Sequence, residues 1–449
     1  MTLQKYNIYF DSLGCVKNLV DSELALGLLH RAGFGLVAEP EAADVIIVNT
    51  CGFINDAKEE SINRILDLAD LKNEKCRLLV VCGCLSERYK DELQAELPEI
   101  DIMLGTNDYD TIVARIAEAL NEQAGCDDWA QFDQEDSLRQ RVRITPAYTA
   151  YIKVAEGCNN NCAFCAIPGI RGGLVSRKVE DIVAEAESLL AEGVQELILI
   201  AQDTTAYGMD IYGKPSLARL IDAVAPLGFR WIRVLYSYPD RLNDEVLAAM
   251  ARHENICHYL DIPLQHISGG VLKAMGRTYD RAYVENLFAK IKKYMPDCVI
   301  RTTFMVGFPG ETEEQFDDLL NFAENTELPW AGVFMYSPEE DTKAAVMPDQ
   351  VDDKLKARRY NKLQGALGVN SGEHKAQWVG QTLEVLVECE SEYLPGYFEG
   401  RSRYHAPDVD GVVYIENKDN RLSAADIGSF VQVTIHTAET YDIIGSLAE

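Results

Sequence analysis

Three closely spaced cysteines are the residues of this chain best suited to chemistry. Cys158, Cys162 and Cys165 form a Cys-x3-Cys-x2-Cys pattern within KVAEGCNNNCAFCAIPGIRGG. This spacing should arise by chance in roughly 1% of chains with this cysteine content. Closed iron–sulfur clusters and structural zinc sites use four ligands, and no histidine lies near these thiols in the sequence. The motif therefore predicts a cluster with one open iron, and a zinc site completed by a distant ligand is the alternative.

A second set of cysteines is dispersed along the N-terminal region. Cys15, Cys51 and Cys84, in SLGCVKN, VNTCGFI and VCGCLSE, each follow a strand pattern and precede a helix pattern. Loops at the carboxyl ends of parallel strands converge on one edge of a sheet, close to helix N-termini that favour negative charge. We expect a second site of three thiolates there, with buried core cysteines as the alternative. Cys82 should point to the opposite side of its strand and is not expected to be a ligand.

The remaining cysteines are interpreted through the expected compartment. The longest apolar runs in the 449 residues are strand-length, far below the ~20 residues that span a bilayer. MTLQKYNIYF lacks a signal-peptide pattern, so we expect a cytoplasmic protein with reduced thiols. Clustered cysteines then indicate metal binding or catalysis rather than disulfides. The cysteines outside the two sets are expected to be incidental: Cys76, Cys126, Cys257, Cys298 and Cys389.

The elements that must position the second set lie in residues 1–125, where strand and helix patterns alternate. This alternation predicts an α/β domain with a mostly parallel sheet. The predicted strands are Asn7–Phe10, Asp44–Val48 and Leu78–Val81. The predicted helices are Leu19–His30, Ala57–Leu71 and Glu87–Glu96. Residues 126–146 are polar and charged and end on Pro146, which predicts a linker.

Six strand–helix units over residues 147–375 predict a partial (β/α)6 barrel. Functional residues of such a barrel belong at the carboxyl ends of its strands, where the first cysteine motif lies. The predicted strands are Tyr151–Val154, Glu196–Ala201, Trp231–Leu235, His258–Ile262, Val299–Phe304 and Gly332–Tyr336. The predicted helices include Lys178–Ala191, Asn243–Ala251, Arg281–Tyr294 and Glu313–Glu324, and a charged helix over residues 352–370 follows.

Residues 376–449 change to a period-two alternation of apolar and polar residues. Leu383–Val387, Val412–Ile415 and Phe430–Ile435 are the predicted strands, and Gly, Pro and Asp turns separate them. This pattern predicts a small all-β barrel. The expected fold class is therefore α/β, with an N-terminal α/β domain, a central partial barrel and a C-terminal β-barrel.

The three-cysteine loop at the mouth of a six-unit barrel resembles the radical S-adenosylmethionine enzymes. The resemblance implies a [4Fe–4S] cluster whose fourth iron is chelated by the amino and carboxylate groups of S-adenosylmethionine. Phe164 matches an aromatic residue that helps to pack this cofactor, although any apolar residue in a buried loop would look the same. Residues near other strand ends could contact cofactor or substrate, or serve only structure: Gln202, Asp203, Ser237, Gln265, Arg277, and Gly307 and Gly310 of GFPGE.

The two cysteine sets together narrow the resemblance. GC at 14–15, NTCGF at 49–53, GCL at 83–85 and the Cys158 motif resemble the methylthiotransferases over essentially the whole chain. The resemblance implies a second [4Fe–4S] cluster whose open iron holds sulfur from an external source, and a C-terminal barrel of the TRAM type. SLGCVKNLVDSE and AQDTTAYGMD resemble the branch that modifies an aspartate of the small-subunit ribosomal protein S12, rather than the branch that modifies a transfer-RNA adenosine.

The reaction implied by this branch replaces an unactivated β-carbon C–H bond of aspartate with C–S–CH3, giving 3-methylthioaspartate. That chemistry is beyond side-chain acid and base groups and needs a cofactor radical. The resemblance implies that the first cluster, reduced by a donor such as a flavodoxin, cleaves S-adenosylmethionine to a radical that removes the hydrogen. Sulfur from the second cluster then attaches, and a second S-adenosylmethionine supplies the methyl group.

The acidic charge of the chain favours one branch over the other. The net charge is −30, with −11 over residues 1–125 and −9 over residues 376–449. Solubility alone would explain an acidic chain, but a barrel that binds RNA should be basic. An acidic surface attracts a basic ribosomal protein and repels transfer RNA. We therefore expect the ribosomal protein as substrate and no strong nucleic-acid binding. We also expect no membrane partner and a monomeric protein.

Three other functions stay open at this stage. They are transfer-RNA modification, a non-catalytic iron–sulfur carrier, and an RNA-binding module with a vestigial barrel. A carrier would leave the long barrel and GFPGE unexplained, and the acidic C-terminal domain argues against an RNA-binding module. Within that acidic domain, Asp408 and Asp410 of HAPDVDG could also be ordinary turn formers.

Overall fold

The computed structural model describes residues 5–121 and 134–448, and it begins with an α/β domain. Five parallel strands lie in the order β2-β1-β3-β4-β5. The strands are β1 Asn7–Ser12, β2 Gly35–Leu36, β3 Val45–Thr50, β4 Leu78–Gly83 and β5 Ile102–Met103. The helices are α1 Val16–Arg31, α2 Asn55–Ala69, α3 Cys84–Arg88, α4 Lys90–Glu96 and α5 Ile112–Ala119. Alternate residues of β3 enter two separate apolar cores, as in a parallel sheet covered on both faces.

One local expectation for this part of the chain was wrong. The pattern predicted one helix over Glu87–Glu96, but the chain leaves the helical region at Tyr89, with φ −128° and ψ 36°. The Tyr89 hydroxyl there donates to Glu340 of the central domain, so a tertiary contact accompanies the break. The described part of the predicted linker, residues 134–146, includes the short helix α6 (Gln134–Arg139). Cys126 lies outside the described residues.

The six predicted central strands are all present and all parallel. They are β6 Thr149–Lys153, β9 Glu196–Ile200, β10 Trp231–Val234, β11 Tyr259–Asp261, β12 Val299–Val306 and β13 Trp330–Met335. A bridge between Ile232 and Ile256 joins the two three-stranded halves into one partial barrel. A short hairpin of β7 Ala155–Glu156 and β8 Val175–Ser176 flanks the cysteine loop.

α7 Ile167–Arg171 continues the cysteine loop and contacts α3 of the N-terminal domain. Other helices cover the outside of the partial barrel. They are α8 Val179–Ala191, α9 Met209–Tyr212, α10 Leu217–Val224, α11 Asp244–Arg252, α12 Gly269–Ala274, α13 Arg281–Tyr294, α14 Glu313–Asn325 and α15 Asp353–Lys375. Apolar faces of the longer helices join the strands in one continuous core. In the described ranges, no helix is both long enough and apolar enough to cross a bilayer.

The C-terminal domain is a closed five-stranded barrel. Its strands are β14 Thr382–Glu390, β15 Tyr397–Ser402, β16 Val413–Glu416, β17 Phe430–Ala438 and β18 Ile443–Leu447. They pair in the order β14-β15-β16-β18-β17, and β17 closes the ring onto β14. The sequence pattern missed β15 and β18. Arg401 interrupts the apolar alternation of β15 because it is buried against the central barrel, where it binds Glu196.

The two outer domains cover opposite ends of the partial barrel. The β-barrel covers the amino-terminal ends of the central strands: the Tyr259 hydroxyl donates to Asp410 at 2.6 Å, and the Trp330 indole donates to the Tyr404 carbonyl at 2.8 Å. Asp410 is therefore a buried structural contact. Asp408 is exposed, with φ +65°. The N-terminal domain lies over the carboxyl ends of the end strands β6 and β13, the edge where function was expected.

Candidate functional site

The loop from Cys158 to Cys165 follows β7 at the mouth of the partial barrel. All three cysteines of the motif, Cys158, Cys162 and Cys165, are half-buried and interact electrostatically with one another. Gly157, at φ +72°, allows a close turn here, because a Cβ at this position would lie 2.1 Å from the Gly173 carbonyl oxygen. Burial raises the pKa of Cys165 to about 12, so metal binding must displace a proton from this thiol.

A polar triad holds the tip of this loop. The Asn160 side chain donates to Asp203 at 2.7 Å and accepts from Arg241 at 3.0 Å, and Arg241 also pairs with Asp203 at 2.7 Å. The Asp203 carboxylate caps the following 3-10 turn as well, by accepting from the backbone of Ala206. Because its lone pairs are used by groups of the chain itself, the observed contacts of Asp203 position the cysteine loop.

Arg277 forms the wall of the site beside Phe164. Its guanidinium lies 4.4 Å from the ring centroid of Tyr238 and 5.9 Å from that of Phe164. Neighbouring Tyr279 and the Cys162 thiol act electrostatically to raise the pKa of Arg277, against the effect of its burial. Arg277 Nε and Nη1 are buried and have no hydrogen-bond partner in the described structure. A buried cation with free donors is suited to bind an anionic group that enters this space.

Two more of the sequence-predicted residues carry buried polar atoms without partners. These atoms are Ser237 Oγ, beyond β10, and Gln202 Oε1, beyond β9. The amide nitrogen of Gln202 already donates to Glu156 at 2.5 Å, so only the carbonyl oxygen is left open. Unsatisfied buried polar atoms are rare in proteins and call for a ligand or ordered water. Together with Arg277, they fit a polar cofactor such as S-adenosylmethionine at the ends of neighbouring strands.

The remaining predicted contact residues are Gln265, Gly307 and Gly310, and the structure shows mainly their backbone geometry. Gln265 lies beyond β11 with φ +69°, and its backbone bridges to β12. Gly307 lies against the side chain of Lys356, since a Cβ at this position would lie 2.3 Å from Lys356 Cγ. Gly310 has positive φ and open surroundings, and its amide donates to the Asp349 carbonyl. Both glycines therefore have conformational reasons that need no cofactor.

The structure brings the second cysteine set together at one edge of the N-terminal sheet. Cys15 precedes α1, Cys51 follows β3 and Cys84 begins α3. Cys84 interacts electrostatically with both Cys15 and Cys51. Gly14 allows the first loop to pass close to the second, because a Cβ at this position would lie 2.7 Å from Cys51 Cβ.

Two asparagines, one in the GCVKN segment and one in the NTC segment, connect these loops to one another. Asn18 of GCVKN donates to the carbonyls of Leu13 and Thr50, at 3.1 Å and 2.9 Å. Asn49 of NTC donates to the Asn18 carbonyl at 2.9 Å. Both asparagines are fully buried. They therefore fix the relative positions of the loops that carry the first two cysteines.

Cys84 and Cys82 lie in different surroundings, but strand alternation is not the reason, because residues two apart on a strand share a face. β4 ends at Gly83, whose φ of +94° turns the chain, and Cys84 begins α3. Cys84 Sγ lies 3.5 Å from Asn18 Oδ1, among the other two cysteines of the set. Cys82 is fully buried in the apolar core, and its thiol points to the Val48 carbonyl. The expected help from helix N-termini is outweighed by burial, which raises the pKa of Cys84 to about 11.

A buried ionic network lies between the two cysteine sets. Arg171 Nη1 pairs with Asp21 at 3.0 Å and with Glu156 at 3.1 Å, while its Nη2 lies 3.5 Å from Cys84 Sγ. Lys153, at the end of β6, pairs with the same two carboxylates. These cations hold the pKa of Glu156 at about 2, despite its burial. Arg171 belongs to the central domain and Asp21 to α1, so the network joins the two domains.

A cavity of about 320 Å³ opens beside this network, between the domains. Residues from both domains line it, including Arg88 of α3, Ile170 of α7, Lys343, and the ligand candidates Cys162 and Cys165. Its size is that of a small-molecule site. None of Cys15, Cys51 and Cys84 lines it, but Ala166 and Ile170 of its wall pack against Cys84.

The spacing of the cysteines bears on which metal they suit. Within residues 5–121 and 134–448, no three His, Cys, Asp or Glu side chains converge tightly enough to bind a single metal ion. One zinc ion would hold its sulfur ligands on bonds of about 2.3 Å. A [4Fe–4S] cluster binds each cysteine through a different iron, so its ligands stand further apart. The two kinds of site therefore require different sulfur–sulfur separations from the same cysteines.

Sequence reasoning missed several residues that build the site. Asn160 and Arg241 had no recognisable pattern, since they lie 81 positions apart and meet only in the fold. Lys153 did carry a signal, because a charged residue inside the apolar strand TAYIK must find a buried partner. Asp21 carried the same signal on the buried face of α1.

Comparisons with known proteins agree with this architecture. The family model described as Uncharacterized protein family UPF0004 matches residues 7–105, the Radical SAM superfamily matches residues 152–323, and the TRAM domain matches residues 379–447. Ribosomal protein uS12 methylthiotransferase RimO of Desulforamulus reducens is 46% identical over 98% of each chain. The enzyme of the same name from Geobacter sulfurreducens is 44% identical over 100% of each, and that from Clostridioides difficile is 43% identical over 98% of each.

Solved structures show a similar fold at low sequence identity. The radical S-adenosylmethionine methyltransferase TsrM from Kitasatospora setae, with cobalamin and a [4Fe-4S] cluster bound, has a TM-score of 0.55 and 13% identity. The match covers 73% of this chain and 74% of that one. The cobalamin-dependent radical enzyme OxsB gives a TM-score of 0.51 at 12% identity, over 81% of this chain and 55% of that one. At these identities the likeness shows the fold alone.

Proposed function

The chain belongs to the ribosomal protein uS12 methylthiotransferase family, RimO, and from this premise we propose that it inserts sulfur at the β-carbon of a uS12 aspartate and methylates it. Membership makes the chain a radical S-adenosylmethionine enzyme and a sulfur-group transferase. The observation that carries the choice of reaction is the presence of two three-cysteine sets at the contact between the domains, where Arg171 of the central domain lies 3.5 Å from Cys84 Sγ.

We assign one [4Fe–4S] cluster to Cys158, Cys162 and Cys165, and a second to Cys15, Cys51 and Cys84. When bound, the first cluster and S-adenosylmethionine supply the radical chemistry that breaks a C–H bond, and the second supplies sulfur from an external source. Ser237, Gln202 and Arg277 offer unpartnered polar atoms to the cofactor. Phe164 would pack beside the cofactor. Gln265, Asp203 and the GFPGE glycines would line or support the same end of the partial barrel.

The chain's own residues would then position the cofactor and the cysteine loop, and would shield the site from water. Arg277 would neutralise the carboxylate of the cofactor, while the Asn160 contacts keep the cysteine loop in place. Arg171 and Lys153 would keep the N-terminal domain at a fixed distance from the barrel mouth. Water would be excluded by the domain that lies over the mouth, which protects reactive species from side reactions.

The setting of the reaction follows from the same proposal. The boundaries of the functional parts are 1–125, 147–375 and 376–449. We propose a cytoplasmic monomer that receives electrons from a donor such as a flavodoxin and binds no nucleic acid strongly. The acidic charge of the chain supports a basic protein substrate over transfer RNA.

Incubation with uS12 tests the proposed substrate. The reconstituted enzyme, with reductant, sulfide and S-adenosylmethionine, is expected to add one methylthio group to uS12, and tandem mass spectrometry should place it on an aspartate β-carbon. A transfer-RNA substrate run in parallel should stay unmodified. Modified adenosine together with unmodified uS12 would assign the sister activity, and no deoxyadenosine under any condition would make the protein a carrier.

Cysteine variants test the two cluster assignments. Cys158→Ala should abolish deoxyadenosine formation, because it removes a ligand of the first cluster. Cys84→Ala should lose about half of the bound iron and abolish sulfur insertion, while deoxyadenosine still forms. Cys82→Ala, two residues away in the apolar core, is the matched control and should keep its iron. Iron lost from the Cys82 variant but kept in the Cys84 variant would reverse the assignment.

A further inference from the structure

A second cavity lies on the outer surface of the N-terminal domain, between α2 and α4. We call it the α2–α4 groove; it is formed by residues 55, 58, 59, 62, 63, 85, 89, 92, 93, 96, 97 and 340. Its volume is about 490 Å³, and its floor is apolar, built from Ile62, Leu85, Leu93 and Leu97. Neither cysteine set contributes a residue to it. A floor of this kind is suited to bind an apolar side chain.

The rim of the groove is strongly acidic. Glu59, Glu92 and Glu96 are exposed. Their side-chain carboxylates make no ion pair or hydrogen bond with the described part of the chain. Lys58 is the one cation among the lining residues, and its charge is engaged by Glu339 at 3.0 Å. Unpaired carboxylates around an apolar floor favour a cationic ligand that also carries an apolar anchor.

The groove adjoins the interdomain cavity that contains Cys162 and Cys165. The loop of residues 337–343 separates the two spaces: Glu340 lines the groove, and Lys343 lines the cavity. Arg88 holds this loop from the other side, because it pairs with Glu339 and donates to the Glu340 carbonyl. A chain lying in the groove would therefore need to extend only across this short loop to reach the cavity.

We propose that the α2–α4 groove is the docking site for a segment of the protein substrate that combines lysine or arginine residues with an apolar anchor. The proposal rests on the proposed function, since the occupant is the basic ribosomal protein uS12. The anchor would bury its side chain against Ile62 and Leu97, with flanking cations beside the three free glutamates. The target aspartate, elsewhere on the same protein, would then be presented to the cavity.

Charge reversal of the rim tests this docking site. Glu59→Lys, Glu92→Lys and Glu96→Lys are combined, and the Kd of full-length uS12 is measured at low and at higher salt. Since steering and rim charges act mainly on association, we expect binding to weaken by about tenfold or more at low salt, and the salt dependence to shrink. Glu39→Lys, Glu41→Lys and Glu74→Lys, exposed and unpaired before β3 and β4, form the matched control.

A second variant tests the apolar floor. Ile62→Asn should weaken uS12 binding several-fold, whereas Val369→Asn, an exposed aliphatic residue on α15, should leave it unchanged. Deoxyadenosine formed without uS12 should be the same in all variants, which shows that the barrel is intact. Equal Kd values for the rim variant, its control and the parent would overturn the docking site while leaving uS12 modification standing. Tight, groove-dependent binding without methylthiolation would overturn the reaction but not the site.

Discussion

At the scale of single residues, Arg171 is the side chain on which the two halves of the site depend. Its guanidinium has 2% exposure and touches Asp21, Glu156, Asn18 and the Cys84 sulfur. Arginine suits this position because its fixed fork of donors can serve several acceptors at once. This cation connects the two halves of the site, because it contacts Cys84 of one cysteine set and Asp21 of the domain that carries that set.

Replacing Arg171 with methionine is expected to destabilise the protein by about 3–5 kcal/mol, because Asp21 would stay buried with Lys153 as its one remaining cation and Glu156 would lose one of its two cations. The shift of the denaturant midpoint measures this loss. Arg219→Met is the control, since its pair with Glu180 is more than half exposed and should contribute about 1 kcal/mol or less. Equal midpoints for the two variants would show that the network carries no special stability.

At the scale of elements, periodicity was sufficient for the long, regular segments. The helix predicted over Arg281–Tyr294 has those bounds in the structure, and each of the six central strands was found within two residues of its predicted start. These segments fold as predicted because their apolar faces all enter one core. The three-part α/β architecture that these patterns predicted was also confirmed.

The elements that sequence reasoning missed are those shaped by distant partners. Residues of β15 place Arg401 and Ser402 in the interior, where Arg401 meets Glu196 from the central domain. The helix break at Tyr89 likewise depends on Glu340, 251 residues further along the chain. For the site, the sequence predicted two cysteine sets, one from its spacing and one from its positions after strands, whereas the residues that connect the sets, such as Arg171, have partners that only the fold reveals.

At the scale of the whole molecule, the acidic excess has more than one role. Some carboxylates, such as Asp21 and Asp410, are buried and hold domains together, so they do not contribute to an attractive surface. Others, such as the glutamates of the α2–α4 groove, are exposed and unpaired. Net charge alone therefore favours a basic partner, but only the folded surface shows where that partner would bind.

The contact between the central and C-terminal domains should depend on pH through Glu196. This carboxylate is completely buried between Arg233 at 3.0 Å and Arg401 at 2.7 Å, and these cations lower its pKa from 4.5 to about 2. A lowered folded-state pKa contributes stability above pH 4.5 that is lost as the pH falls towards 2, on the order of 3 kcal/mol in total. The urea midpoint should therefore fall across this window.

Glu196→Gln isolates this contribution. The variant should be less stable than the parent at neutral pH, because two buried arginines lose their counter-charge. The difference should narrow as the pH falls from about 5 to 2.5, since the parent's carboxylate becomes neutral as well. Glu392→Gln, an exposed position of the C-terminal barrel, should follow the parent at every pH. A constant difference between Glu196→Gln and the parent across the window would show that this ion cluster does not govern the acid stability of the domain contact.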